Sequence, residues 1–168
     1  MIVEDEFVVA CDLCDTLEAL GYSVVAVVGT GEEAVTTAAS VRPTAILMDI
    51  RLAGNMDGIQ AAARIRSEHD IPIVFLSAHS NEDTLQRATA TEPFGYLVKP
   101  FKGAELRCAL EVAIRNHRSQ RRQVEDQARR LADDLERRAA QRTMELETAN
   151  QELEAFSISP PCSARRAA

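Results

Sequence analysis

Over residues 1 to about 117, short apolar runs alternate with amphipathic stretches. The runs are Met1–Val3, Ser23–Val28, Ala45–Met48, Ile73–Leu76 and Tyr96–Val98. They lack internal alternation, as strands covered on both faces should. Between them, Phe7–Leu20, Glu32–Ser40, Asp57–Glu68 and Glu82–Ala90 repeat apolar residues at helical spacing, and a further such stretch begins near Lys102. The alternation predicts five β-α units, an α/β domain with a parallel sheet and helices on both faces.

From about residue 118 the period changes. No strand pattern remains, Gly103 is the last glycine, and the residues are strong helix formers. Val124, Ala128, Leu131, Leu135, Ala139, Arg142, Leu146, Ala149, Leu153 and Phe156 step by three or four, with one stutter near Leu135. This is the seam of a coiled coil. A helix unbroken from Lys102 to Phe156 is on the order of 80 Å long, too long to stand single in water. The expectation is therefore a homodimer through this helix. Pro160 and Pro161 end the pattern. The expected organisation is a domain over 1–117, a coiled helix over 118–156 and a disordered tail over 157–168.

Composition narrows the classes. The chain has 168 residues, 46% of them hydrophobic, enough for one packed core plus an appendage. No apolar run reaches the roughly 18 residues a membrane span needs, and no signal peptide precedes the first strand, so the expected location is cytoplasmic. The net charge of −7 divides as −8 over residues 1–117 and +1 over 118–168. Neither part has the basic footprint of a nucleic-acid binder. Cys11, Cys14, Cys108 and Cys162 are too scattered for a disulfide framework. Cys11 and Cys14 have redox spacing but fall inside an expected helix rather than at its N-terminal turn. His69, His79 and His117 have no ligand spacing with each other or with the cysteines.

Chemistry concentrates at the strand ends. In open parallel sheets, ligands bind beyond the carboxyl ends of the strands. Those ends read Glu4-Asp5, Asp49, Ser77-Ala78 and Lys99-Pro100. Carboxylates gathered at one point resist joint ionisation, and a divalent cation relieves them. Hard oxygen donors suit Mg²⁺. A nearby ammonium and hydroxyl suit a phosphoryl group, so the set predicts a phosphoryl-transfer site with Asp49 as nucleophile.

The segments "IVEDE", "ILMDIRLAGNMDGIQAA", "IVFLSA" and "GYLVKPF" resemble the receiver domain of two-component response regulators, over roughly residues 1–117. The resemblance implies a flavodoxin-like, doubly wound five-stranded sheet in the order 2-1-3-4-5. It implies that Asp49 takes phosphate from a histidine kinase, a phosphotransfer protein or a small phosphodonor. Asp5, helped by Glu4 through water, would hold Mg²⁺ with Asp49 and the backbone carbonyl of Arg51. Lys99 would contact a phosphoryl oxygen, and the bond before Pro100 would be cis. Ser77 would be the switch hydroxyl, with inward rotation of Tyr96 following and biasing the face made by the fourth helix, fifth strand and fifth helix. Three departures stand out: a short first strand, a loop from Asp49 to Gly58 that is one residue longer and lacks the usual proline, and Glu4 in place of the more frequent Asp. The side chains of Arg51 and His79 flank the site and are expected to tune the phosphate's lifetime.

Two other readings compete. "GTGEEA" at 29–34 fits a dinucleotide-binding turn, yet Glu32 and Glu33 would repel a pyrophosphate at that helix N-terminus. The segment "LERRAAQRTMELETANQELEAFS" resembles the coiled linker before the dimerising helix of sensor histidine kinases, but no histidine follows His117. The expectation is no competent kinase and no DNA-binding output. The chain then reads as a phosphorylation-controlled interaction module, as a phosphate sink or relay, or as a truncated relative of a receiver–kinase fusion.

Overall fold

The structure, a computed structural model, describes residues 1–78 and 94–157. The expected helix Glu82–Ala90, His79, Cys162, the 158–168 tail and the side chain of Phe156 lie outside the described residues. The chain divides into two units, Met1–Arg121 and Arg122–Ala168.

Five strands form the sheet of the first unit: β1 (Ile2–Val3), β2 (Val27–Val28), β3 (Ile46–Asp49), β4 (Ile73–Ser77) and β5 (Gly95–Val98). All pairings are parallel, in the order β2-β1-β3-β4-β5. This is the order that the resemblance implied. Helices α1 (Phe7–Ala19), α2 (Gly31–Val41) and α3 (Gly58–Glu68) follow the first three strands, and a C-terminal helix runs from Gly103 to Ser157.

Successive strand residues face opposite sides, so each strand feeds two cores. Val3, Ile46, Met48, Ile73 and Phe75 pack with Ala34, Ala38, Ile59, Ala62 and Ile65, the inner faces of α2 and α3. Ile2, Leu47, Val74 and Leu76 pack with Leu13 and Leu17 of α1 and with Leu106, Leu110 and Ala113 of the C-terminal helix. The small alanines let α2 and α3 sit close to the sheet.

One element is shorter than expected. Apolar residues run from Ser23 to Val28, but only Val27–Val28 is strand. Parallel pairing needs a neighbour of equal length, and β1 offers just Ile2 and Val3, in register with Val27 and Val28. The N-terminal ammonium of Met1 donates to the Ala45 carbonyl at 3.1 Å, and burial pushes its pKa down.

In the second unit, Val124, Leu131, Leu135, Leu146 and Leu153 are all exposed on the helix. Among the described residues, no helix is long and apolar enough to cross a membrane.

Candidate functional site

The apolar run Ile46–Met48 ends in a carboxylate. Asp49 is the last residue of β3, in register with Leu76, and the backbone N–H of Ile50 donates to the Leu76 carbonyl at 3.1 Å. The sheet thus fixes where the Asp49 side chain leaves it. The N–H of Arg51 donates to Asp49 Oδ1 at 2.9 Å and turns the carboxylate.

The chain returns close behind Asp49. Gly58 N donates to the Ile50 carbonyl at 3.0 Å, and a Cβ on Gly58 would come within 1.9 Å of the Asp49 carbonyl oxygen. Only glycine fits. Asp57 caps α3 reciprocally with Gln60, at 2.8 and 3.0 Å. A bridge between Thr30 and Ala53 ties the loop to the turn before α2. The longer loop, lacking its proline, is thereby anchored at both ends and in the middle.

Glu4 follows β1, its N–H bonded to the Val28 carbonyl at 2.9 Å. Ser77 ends β4, and Lys99 N donates to the Ser77 carbonyl at 2.7 Å. The Lys99–Pro100 peptide is cis. Glu4, Asp49 and Ser77 are 3%, 7% and 5% exposed, and they are the buried polar residues at this rim. Lys99 Nζ donates to both Glu4 Oε2 and Asp49 Oδ2 at 2.5 Å. One ammonium therefore joins the ends of β1, β3 and β5.

Electrostatics follow from that geometry. Burial pushes the Glu4 carboxyl above its ordinary range, opposed by the bond from Lys99 and reinforced by the charge of Asp49. Burial alone would lower the Lys99 ammonium, but its bonds to Asp49 and Glu4 outweigh this and hold it above its ordinary value.

The structure thus brings Glu4, Asp49, Ser77 and Lys99 together. Asp5 is different: it lies next to Glu4 in sequence but is exposed, and so is the side chain of Arg51. Among the described residues, no three His, Cys, Asp or Glu side chains stand in coordinating position. Glu4 and Asp49 are bridged by Lys99 instead. Tyr96 is half-buried and packs against the core on the α2–α3 side. His79 lies outside the described residues, so of the pair expected to flank the site only Arg51 is placed.

The pairing of Lys99 with Glu4 had no local signal, since 95 residues separate the two. A second long-range cluster was equally hidden. His117 Nε2 lies 2.8 Å from Asp70 Oδ1, and Arg121 Nε lies 3.4 Å from Asp70 Oδ2. Phe94 meets the His117 ring edge-on with centroids 5.3 Å apart. This clasp holds the C-terminal helix to the loop before β4.

The competing motifs resolve simply. Thr30 caps α2 by accepting from Glu33 N at 3.2 Å, and Glu33 accepts from Gly29 N at 3.3 Å. Two of the backbone donors in this turn are thus engaged by the chain's own side chains. Cys14 lies inside α1, and burial pushes its thiol up, away from thiolate chemistry.

Comparison with known proteins bears on the fold and the family. A family described as the response regulator receiver domain matches residues 1–111. The transcriptional regulatory protein PdtaR of Mycobacterium tuberculosis is 39% identical over 118 residues, covering 70% of this chain. This chain spans only 57% of that relative's length. Among solved structures, the signal receiver domain of a modulated diguanylate cyclase from Desulfovibrio desulfuricans G20 is 41% identical, with a TM-score of 0.68 over 71% of this chain and 94% of its own. The receiver domain of sensor histidine kinase PA1611 from Pseudomonas aeruginosa PAO1, with a magnesium ion coordinated in its active-site cleft, is 37% identical. Its TM-score is 0.62, over 67% of this chain and 93% of its own.

Proposed function

The chain belongs to the response regulator receiver family of two-component signalling, and from that premise we propose that it accepts a phosphoryl group on Asp49 in a magnesium-dependent phosphorelay. One observation carries the reading: two buried carboxylates from different strand ends share a single lysine at the rim of a parallel sheet.

The residues divide the work. Arg51 N engages Asp49 Oδ1, so Oδ2, bound to Lys99, is the oxygen that attacks phosphorus. An O–P bond forms as the donor's N–P or O–P bond breaks, and the leaving group takes the electron pair. Lys99 Nζ shifts from Asp49 Oδ2 to an equatorial phosphoryl oxygen, which places positive charge where negative charge accumulates. Ser77, buried beside Lys99, turns its hydroxyl to another phosphoryl oxygen. Tyr96 responds by repacking against the core, which biases two states of the domain.

The donor set suits Mg²⁺. Glu4, Asp5 and Asp49 carry three negative charges against one on Lys99, all on hard oxygen atoms. Asp5, Asp49 and the Arg51 carbonyl, with Glu4 helping through water, would hold the ion in place of the Lys99 bridge between Glu4 and Asp49. When bound, it neutralises the carboxylates and the phosphoryl oxygens.

The phosphodonor is a histidine kinase, a phosphotransfer protein or a small acyl phosphate. Phe7 and Val8, 80% and 77% exposed at the start of α1, offer a protein donor an apolar foothold beside the acids. The domain catalyses its own phosphorylation and dephosphorylation, and the C-terminal helix self-associates through its exposed apolar seam. Incubation with Mg²⁺ and acetyl phosphate, followed by intact mass, tests the reading. One phosphoryl group is expected on the native chain and none on Asp49→Asn. Equal labelling of both refutes the assignment of Asp49.

A further inference from the structure

The turn Gly29–Thr30–Gly31 touches two segments of the site at once. Gly29 follows β2 and lies against the chain leaving β1. A Cβ on it would stand 3.8 Å from Asp5 Cα and 3.9 Å from the Glu4 carbonyl oxygen. Thr30 bridges to Ala53, in the loop that begins at Asp49. Gly31, buried at the first position of α2, lies against Met56 of the same loop. A Cβ there would come within 2.7 Å of the Met56 carbonyl oxygen and 2.9 Å of its Cγ. Met56 is itself held, half-buried, against the core on the α2–α3 side. Farther along the loop's outer side, a Cβ on Gly54 would stand 3.3 Å from Glu32 Oε2.

These contacts bear on the oxygen atoms offered to magnesium. Asp49 is fixed by β3, but Arg51 lies beyond the strand, two residues before Ala53. The place of its carbonyl therefore depends on what the loop rests against, and that is the turn before α2. Magnesium demands near-octahedral geometry at about 2.0–2.1 Å, so a small displacement of one oxygen is felt in affinity. Groups one shell out from a metal typically change its affinity by about 10–100-fold when altered. A methyl on Gly31 would meet backbone, which has no rotamer to escape into, at a separation shorter than real Cβ contacts. The loop would have to withdraw by some tenths of an ångström.

We propose that Gly31 is a positioning residue for magnesium: by admitting the Met56 backbone to close contact, it seats the loop that delivers the Arg51 carbonyl to the ion. The inference rests on the metal reading above and deepens it. It also gives the glycine pattern of residues 29–31 a use within this site.

Calorimetric titration of Mg²⁺ into the full chain, with no phosphodonor present, reads the affinity directly. Gly31→Ala should weaken it about tenfold. Met56→Ala loosens the same contact from the loop side and should weaken it in the same direction by less. Gly21→Ala controls for lost stability. It strains a φ of +85° in the turn after α1, with nothing among the described residues within 4 Å of the new methyl. Its magnesium affinity should match that of the native chain. At saturating magnesium, Gly31→Ala should label with acetyl phosphate at close to the native rate, because only the metal step is impaired. Native affinity in a folded Gly31→Ala, or an equal loss in Gly21→Ala, overturns the proposal and leaves magnesium binding standing. If Gly31→Ala does not fold, native affinity in Met56→Ala overturns it instead. A native chain that takes up no magnesium overturns both this inference and the metal reading.

Discussion

Replacing Lys99 with methionine isolates the electrostatics of the rim. The Lys99 side chain is 20% exposed and bonds Glu4, 1% exposed, and Asp49, 10% exposed. Methionine keeps the stem and removes the charge. Stripping a buried ion pair of one partner costs about 3–5 kcal/mol. Water reaches part of Lys99, and Glu4 can take up a proton, so the loss falls at the lower end, about 3 kcal/mol near neutral pH. In urea this is a midpoint lowered by about 1–2 M. The sign with pH follows from Glu4. Burial already holds its carboxyl above the ordinary range, and without Lys99 nothing opposes that shift. An acid whose folded pKa exceeds its unfolded one binds its proton more tightly when folded. The penalty is therefore full above the raised value and shrinks as pH falls through it toward the ordinary glutamate range. Urea unfolding of both proteins at pH 7 and pH 5 measures the gap. A gap that stays constant with pH, or one below about 0.5 kcal/mol at pH 7, refutes the idea that Lys99 compensates buried negative charge.

Gly58→Ala forces a methyl against the Asp49 carbonyl oxygen, so a loss of about 1–3 kcal/mol in urea unfolding should accompany slower labelling by acetyl phosphate. Asp5→Asn changes an exposed side chain, so stability should move by less than about 0.5 kcal/mol while the magnesium needed for half-maximal labelling rises. Asp70→Asn loosens an exposed clasp on His117 and Arg121. Unfolding should change by about 1 kcal/mol or less, with faster amide exchange at residues 114–121 as the local readout.

Legibility in the sequence tracked locality. Asp49 was visible because a buried run ended on a charge, and Ser77 and Lys99 because they ended runs of the same kind. The sheet's parallel character followed from uninterrupted apolar strands. What escaped depends on partners distant in the chain. The length of β2 was overestimated because strand length is set by the neighbour, and β1 pairs only two of its residues. Asp5 was given the direct role and Glu4 the helping one, but adjacent residues leaving a strand point to opposite sides, and it is Glu4 that is buried and Asp5 that is exposed. The bond of Lys99 to Glu4 and the clasp of His117 on Asp70 join residues 95 and 47 positions apart, with no periodicity to announce them.

The lysine shared by two acids carries one last implication. Because the neutralising charge is tethered to the backbone, the compensation for the two buried carboxylates travels with the chain itself, and dilution does not strip it away. Three strand ends far apart in sequence thus share one covalently delivered counter-charge, so moving that single side chain would unbalance β1, β3 and β5 at the same moment.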